Sequence, residues 1–269
     1  MNHNSLLTPL QSAYKPNYST ETDLLRIVND LLTAMDNNKI CILTLLDLSA
    51  AFDTIDHQIL FTRLQHSSGT SGSALFWLLS YLCNRTHAVT INSLQYQHTT
   101  LHCGVLQGSV LGPVLFILHT QPLFNLVSKH AVSHHAFIDD NQLYKINTLD
   151  AIYQSIETLQ NCATYVKSWM TANKLQLNDN KTEAMIILSN RMPVHSPLPS
   201  VIHIGDADVP FVSSVKNLGV TLDSNLSMSQ HVGNTYKASN IQIKHISSIR
   251  HLLTTQATKP LYAVLSSLA

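Results

Sequence analysis

Two aspartates stand side by side in AFIDDNQLY, residues 136–144, and a third, Asp47, closes the apolar run ICILTLLD. Asp favours turns and helix caps, so an Asp-Asp pair alone is ordinary solvated turn chemistry. Asp47 changes its meaning. If the two apolar stretches are neighbouring strands of one sheet, Asp47 comes beside Asp139 and Asp140, and carboxylates that converge stay ionised together only when cations neutralise them. Hard oxygen donors suit Mg²⁺, which takes few protein carboxylates and completes its shell with water and substrate phosphates. Two such ions about 4 Å apart can clamp the attacking and leaving oxygens of an in-line displacement at phosphorus.

Other residues fit that chemistry with less specificity. Lys181 could protonate or electrostatically stabilise a departing phosphate, although its residue type equally suits a surface lysine near a strand. Phe52, five residues after Asp47, is by composition alone a core aromatic, and Asp53 and Asp56 read as capping acids of the following helix. Fifteen histidines include HTTLHC (98–103) and SHH (133–135), but none has the helical spacing of a zinc site, so they read as structural or surface groups.

The elements that must position these residues follow from periodicity. STETDLLRIVNDLLTAMDNNK has Ser/Thr caps and an apolar spacing at Leu24, Leu25, Val28, Leu31, Leu32 and Met35 that predicts an amphipathic helix. A strand ending at Asp47 follows, then a helix through Ile59, Leu60 and Leu64, a Ser/Gly-rich break, the helix ALFWLLSYL, and short strands in HAVTIN and SLQYQHTTLHCGV. LQGSVLGPVLFILHTQPLF opens on a glycine-rich turn and carries Pro113 where a first helical turn tolerates it. AFIDDNQLY then reads as a hairpin with Asp139 and Asp140 at its bend. A long helix has Ile152, Ile156, Leu159, Ala163 and Val166 on its inner face, and a strand in AMIILS leads to the Pro-rich segment RMPVHSPLPS. Beyond it, VIHIGDADVP, VKNLGVTLD and a helix from about Ser229 to Leu253 read as a second unit.

Composition bounds the possibilities. A chain of 269 residues with 45% hydrophobic content can bury a substantial core, as one large domain or two small ones. Its longest apolar runs fall short of a bilayer span, so no membrane partner is expected, and the protein reads as soluble and intracellular with nucleus and cytoplasm unresolved. Cys41, Cys83, Cys103 and Cys162 lack metal or disulfide spacing and read as buried thiols. Lys plus Arg against Asp plus Glu is 7 to 11 over residues 1–160 and 9 to 5 over 161–269, an acidic front and a basic back.

LTLLDLSAAFDTIDHQIL, GVLQGSVLGPVLF, FIDDNQLY, WMTANKLQLNDNKTE and VKNLGVTLD together resemble, in order and approximate spacing, the reverse transcriptase domain of non-LTR (LINE-type) retrotransposons. The resemblance runs from QSAYKPNYSTETDLL to about residue 235. It implies an α+β chain with the right-hand polymerase fold: an antiparallel palm sheet backed by helices, truncated fingers and a partial helical thumb. The corresponding division is fingers at 1–39, a palm with the nucleotide and metal site at 40–192, a linker at 193–200, and primer grip and thumb at 201–269. It implies Asp47, Asp139 and Asp140 as catalytic ligands of two Mg²⁺ ions and Lys181 as the group assisting pyrophosphate departure. Phe52 becomes the aromatic gate under the incoming sugar, Gln107 and Gly108 the loop lining the nucleotide pocket, and NLGVTLD the primer-gripping turn. Lys15 stands as what remains of a basic fingers surface, in a chain expected to begin partway through the fingers. RNA template, DNA primer and dNTPs are the implied partners.

Two positions depart from the family pattern. Leu106 stands where proline usually precedes Gln-Gly, leaving that loop less constrained. Ile138 stands where alanine usually precedes the two acids, and its β-branch suits a strand while its bulk needs room. Two other readings compete with the polymerase: a retroelement remnant that folds and binds nucleic acid without copying it, and a receiver-type phosphoacceptor. The latter would want parallel βα repeats with the acidic pair on the first strand.

Overall fold

The run ICILTLL is buried at nearly every position, and it forms the central strand β1 (Ile40–Leu46) of an antiparallel sheet. The computed structural model describes residues 8–254, 256 and 260; the ends of the predicted fingers and thumb regions, residues 1–7 and 261–269, lie outside the described residues. Among the described residues no helix is long and apolar enough to cross a membrane.

The chain divides into two units, residues 1–212 and 213–269. In the first, helix α1 (Thr20–Asp36) precedes β1, and a two-residue strand β2 (Leu48–Ser49) follows it. Next come α2 (His57–His66), α3 (Gly72–Leu82) and the short strands β3 (Thr86–His87), β4 (Thr90–Ile91), β5 (Leu94–Gln95) and β6 (Thr99–Thr100). Helix α4 (Leu111–Val127), strands β7 (Ser133–Phe137) and β8 (Asp140–Asn147), and helix α5 (Ile152–Ala172) complete the central part. Strands β9 (Gln176–Leu177), β10 (Glu183–Ile187), β11 (Val201–Ile204) and β12 (Ala207–Pro210) close the unit. The main sheet has the order β10-β1-β8-β7 with every neighbour antiparallel.

Side chains alternate across a strand, so β1 serves two cores. Ile40, Ile42 and Leu46 join Leu143, Ile186 and the inner faces of α4 and α5 in one cluster, where Ile152, Ile156, Leu159, Ala163 and Val166 all lie as the periodicity predicts. Cys41 and Leu43 point the other way, as does Tyr144, the register partner of Leu43, whose hydroxyl donates to Asp30 on α1 at 2.5 Å. Helix α1 therefore covers that second face. Its buried stripe is Asp23, Leu24, Ile27, Leu31 and Ala34; Leu25 and Leu32, expected on the inner face, are exposed. The stripe is turned because Asp23 is itself buried, accepting the Ser12 hydroxyl at 2.6 Å.

Other expectations shift for similar reasons. Cys83 and Cys103 are exposed, while Cys41 and Cys162 are buried as expected. His134 and His135 are core residues, stacked on Phe124 and Tyr144, and burial lowers both imidazoles to about 4, so they pack as neutral rings. The boundary between units falls after Val212 rather than in the Pro-rich segment 193–200. The β11–β12 hairpin belongs to the first unit because it packs on α5 and places Ile202, Ile204 and Val209 in the core.

In the second unit, β13 (Ser214–Asn217) and β14 (Val220–Asp223) make a hairpin whose two turn residues, Leu218 and Gly219, both have positive φ, as a type I′ turn requires. Helix α6 (Ser229–Ile249) follows and packs on β14.

Candidate active site

Register decides which acids meet. From Ile40↔Asn147 to Leu46↔Asn141 each step along β1 retreats one residue along β8, so Asp47, one residue past the end of β1, comes near Asp140, whose carboxyl feels its charge. The hairpin β7–β8 closes with Phe137 paired to Asp140, leaving Ile138 and Asp139 as a two-residue loop. Asp139 thus lies on the turn and Asp140 opens a strand, a shift of one from a bend holding both acids. Ile138 lies in the turn rather than in a strand and has φ +59°, while Asp139 does not take a positive φ, the sign pattern of a type II′ turn. That position ordinarily wants glycine, and a β-branched residue there is strained.

The backbone after Asp47 is held as well, because Asn178 donates its N–H to the Asp47 carbonyl at 2.9 Å and β9 pairs with β2. The Lys181 ammonium stands 3.5 Å from Asp47 Oδ2, with the lysine mostly exposed. That carboxylate oxygen is otherwise buried without a hydrogen-bond partner.

The acids feel one another. Burial pushes the Asp140 carboxyl up to about 6, with the charges of Asp139 and then Asp47 adding to it, although more than a third of the residue stays open to solvent. Asp139 is also raised, first by burial and further by Asp47, while Lys181 opposes the rise. Such a set attracts divalent cations, and an orphaned buried oxygen on Asp47 is an acceptor awaiting a partner. Among the described residues, however, no three His, Cys, Asp or Glu side chains close into a cage around one ion. The donor set therefore fits a divalent cation only as an open site, with water and phosphate filling the shell, and does not suit an ion held by protein alone.

Beside the acids lies a cleft of about 740 Å³ lined by Phe52, Asp53, Gln107, Gly108, Ser109, Ile138 and Asp139, among others. Two loops make its wall. Val105 donates to the Phe52 carbonyl and Gly104 to the Ile55 carbonyl, both at 2.8 Å, which ties the Phe52 loop to the Gln107 loop. Gly104 is obligatory here, since its φ is +88° and a Cβ would lie 2.9 Å from the Asp53 carbonyl oxygen. Phe52 is stacked on Phe116 with centroids 5.2 Å apart, so it is both a core contact and a cleft residue. Asp56 caps α2 by accepting from Ile59 N–H at 3.0 Å, as expected, whereas Asp53 faces the cleft. Leu106, in the place of the usual proline, accepts the Ser109 hydroxyl at 2.7 Å, and Ser109 in turn accepts from Gly112 N–H at 2.9 Å, so hydrogen bonds brace the loop.

Lys15 is not brought to this cleft: its ammonium bonds the Thr8 carbonyl and lies over the Tyr18 ring. Its neighbour Tyr14 lines the cleft instead. Ser109 and Tyr14 carried no chemical pattern that would single them out, and Asp53 read only as a capping acid, since loop closure alone brings them there.

The family model for reverse transcriptase (RNA-dependent DNA polymerase) matches residues 1–222. The chain belongs to the reverse transcriptase family. A probable RNA-directed DNA polymerase from transposon X-element of Drosophila melanogaster is 29% identical over 227 residues, 82% of this chain and 24% of that relative. The RNA-directed DNA polymerase from mobile element jockey of the same fly is 26% identical over 88% of this chain and 25% of its own length. The chain thus spans about a quarter of the length of the curated relatives it matches. Among solved structures, apo telomerase from Candida tropicalis superposes with a TM-score of 0.54 over 80% of this chain and 36% of that one, at 13% identity. The fold is accordingly α+β and of the right-hand polymerase type.

Proposed function

We propose that the chain is an RNA-directed DNA polymerase domain that extends a DNA primer with dNTPs on an RNA template. The observation that carries this reading is the convergence of Asp47, just past the end of β1, with Asp140 at the start of neighbouring β8 and Asp139 on the β7–β8 turn, at the edge of a cleft. In the reaction the primer 3′-oxygen forms a bond to the α-phosphorus of the dNTP, the bond to pyrophosphate breaks with its electron pair leaving on pyrophosphate, and the hydroxyl proton passes to solvent water. Asp47, Asp139 and Asp140 would hold two Mg²⁺ ions, which when bound supply Lewis-acid activation of the attacking oxygen and neutralisation of the leaving phosphates.

This chain's own groups do the rest. Phe52, braced on Phe116, lies under the sugar and leaves no room for a 2′-hydroxyl. Gln107 and Gly108 border the nucleotide, and Gly108, with φ +81° and open space where a Cβ would stand, lets substrate approach the backbone. Lys181 pairs with Asp47 in the free protein and supplies positive charge or a proton to departing pyrophosphate. Residues 40–212 make the palm, residues before 40 part of the fingers, the β13–β14 turn the primer grip, and α6 part of a thumb whose basic balance follows a phosphate backbone.

Primer extension on poly(A) with oligo(dT), dTTP and Mg²⁺ tests the reading. Incorporation is expected, and Asp139→Asn should abolish it. Folded protein that incorporates nothing, yet retains RNA in a binding assay, would favour the non-copying remnant.

A further inference from the structure

The turn that carries Asp139 is strained, and something outside the sheet holds it. Gln11, in the segment QSAYKPNYST, is fully buried. Its side-chain Nε2 donates to the Ile138 carbonyl at 3.3 Å, and its Oε1 accepts the Ile138 N–H at 3.1 Å, so one amide grips both backbone groups of the residue at φ +59°. The same Oε1 accepts the Ala13 N–H at 3.1 Å. With two N–H groups aimed at it, that atom must be the oxygen, which fixes the amide's orientation.

The segment bearing Gln11 is itself anchored twice. Ala136 donates to the Leu10 carbonyl at 2.9 Å and Ser12 donates to the Ala136 carbonyl at 3.1 Å, a parallel bridge that covers the free edge of β7. The Ser12 hydroxyl then bonds buried Asp23 on α1. A glutamine fits where its charged isostere would not, since glutamate could not donate to the carbonyl and would add a buried negative charge near the acids.

We propose that Gln11 is a positioning residue: it holds the Ile138–Asp139 turn in its positive-φ form, and so sets where the Asp139 and Asp140 carboxylates stand. The catalytic consequence rests on the polymerase reading above; the structural one does not. Five variants of the 269-residue chain test it, Ile138→Gly by itself and Gln11→Met and Gln11→Asn, each alone and with Ile138→Gly. Methionine keeps the packing without the amide, and asparagine keeps the amide one methylene short. Both single variants are expected to speed amide hydrogen exchange at Ile138 at least tenfold while Leu143 and Tyr144 keep their protection. Both should lower kcat for primer extension at least tenfold, with KM for dTTP within threefold of the parent. Glycine takes positive φ freely, so Ile138→Gly should shrink the effect of either Gln11 substitution on kcat to under threefold.

Unchanged exchange at Ile138, a loss of protection spread evenly over β8, or an equal kcat loss with and without Ile138→Gly would each overturn the proposal. If the parent chain extends no primer, the polymerase reading fails, and exchange at Ile138 alone decides the role of Gln11.

Discussion

At the residue scale the acids are unequal. Asp140 has its carboxyl raised to about 6 in the folded chain, by burial first and by Asp139 and Asp47 next. A raised acid favours the folded state at low pH, and that contribution disappears as pH rises from the unfolded value, about 3.8, through about 6. Without divalent cation, thermal unfolding is therefore expected to show a fall in stability over that window, and Asp140→Asn should flatten it. Cation binding needs the carboxylate, so Mg²⁺ affinity measured by calorimetry should rise with pH through the same window. Asp139→Asn is expected to abolish extension activity, as loss of a metal-binding carboxylate in a two-metal site would. Phe52→Ala should admit ribonucleotides at least tenfold more readily in competition with dNTPs; unchanged sugar selection would remove its gate role. This variant also loses stacking on Phe116 and should cost about 3 kcal/mol in denaturant unfolding.

At the element scale the site depends on how two loops enter their helices. Gly112, in the first turn of α4, has no room for a side chain: a Cβ would lie 2.6 Å from the Leu106 carbonyl oxygen, which is backbone and cannot swing aside. Gly112→Ala is thus expected to displace the Leu106–Gly108 loop, raising KM for dNTP severalfold and lowering Tm. Ser109→Ala removes the hydroxyl that joins Leu106 to Gly112, and a lost helix-start bond of this kind costs about 1 kcal/mol. The sheet is less sensitive at its rim than at its centre. Ile42, fully buried in β1 between β8 and β10, should cost about 3 kcal/mol when cut to alanine, measured by urea unfolding.

At the scale of the whole molecule the division after Val212 gives a direct experiment. A chain ending at 212 keeps the sheet, its helices and the β11–β12 hairpin, and is expected to unfold cooperatively on its own. A chain ending at 200 leaves out Ile202, Ile204 and Val209 from the core. Burial of three such side chains contributes about 5 kcal/mol, so this shorter chain should lose most of its stability or fail to fold. Equal stability of the two would place the boundary back in the Pro-rich segment.

The order of elements was legible in the sequence because periodicity is a local property: the inner face of α5, the strand at ICILTLL and the cap at Asp56 each report on a few neighbouring residues. Motif spacing likewise marked the three acids as site candidates, since their chemistry tolerates few residue types. What tertiary structure alone decided was geometry across the chain. The register of β1 on β8 brought Asp47 near Asp140, burial of Asp23 turned α1 away from Leu25 and Leu32, and docking on α5 drew β11–β12 into the first unit. Gln11 shows the reason most plainly: 127 residues separate it from Ile138, and no local pattern records that one side chain's two hydrogen-bonding atoms will meet one peptide's N–H and C=O.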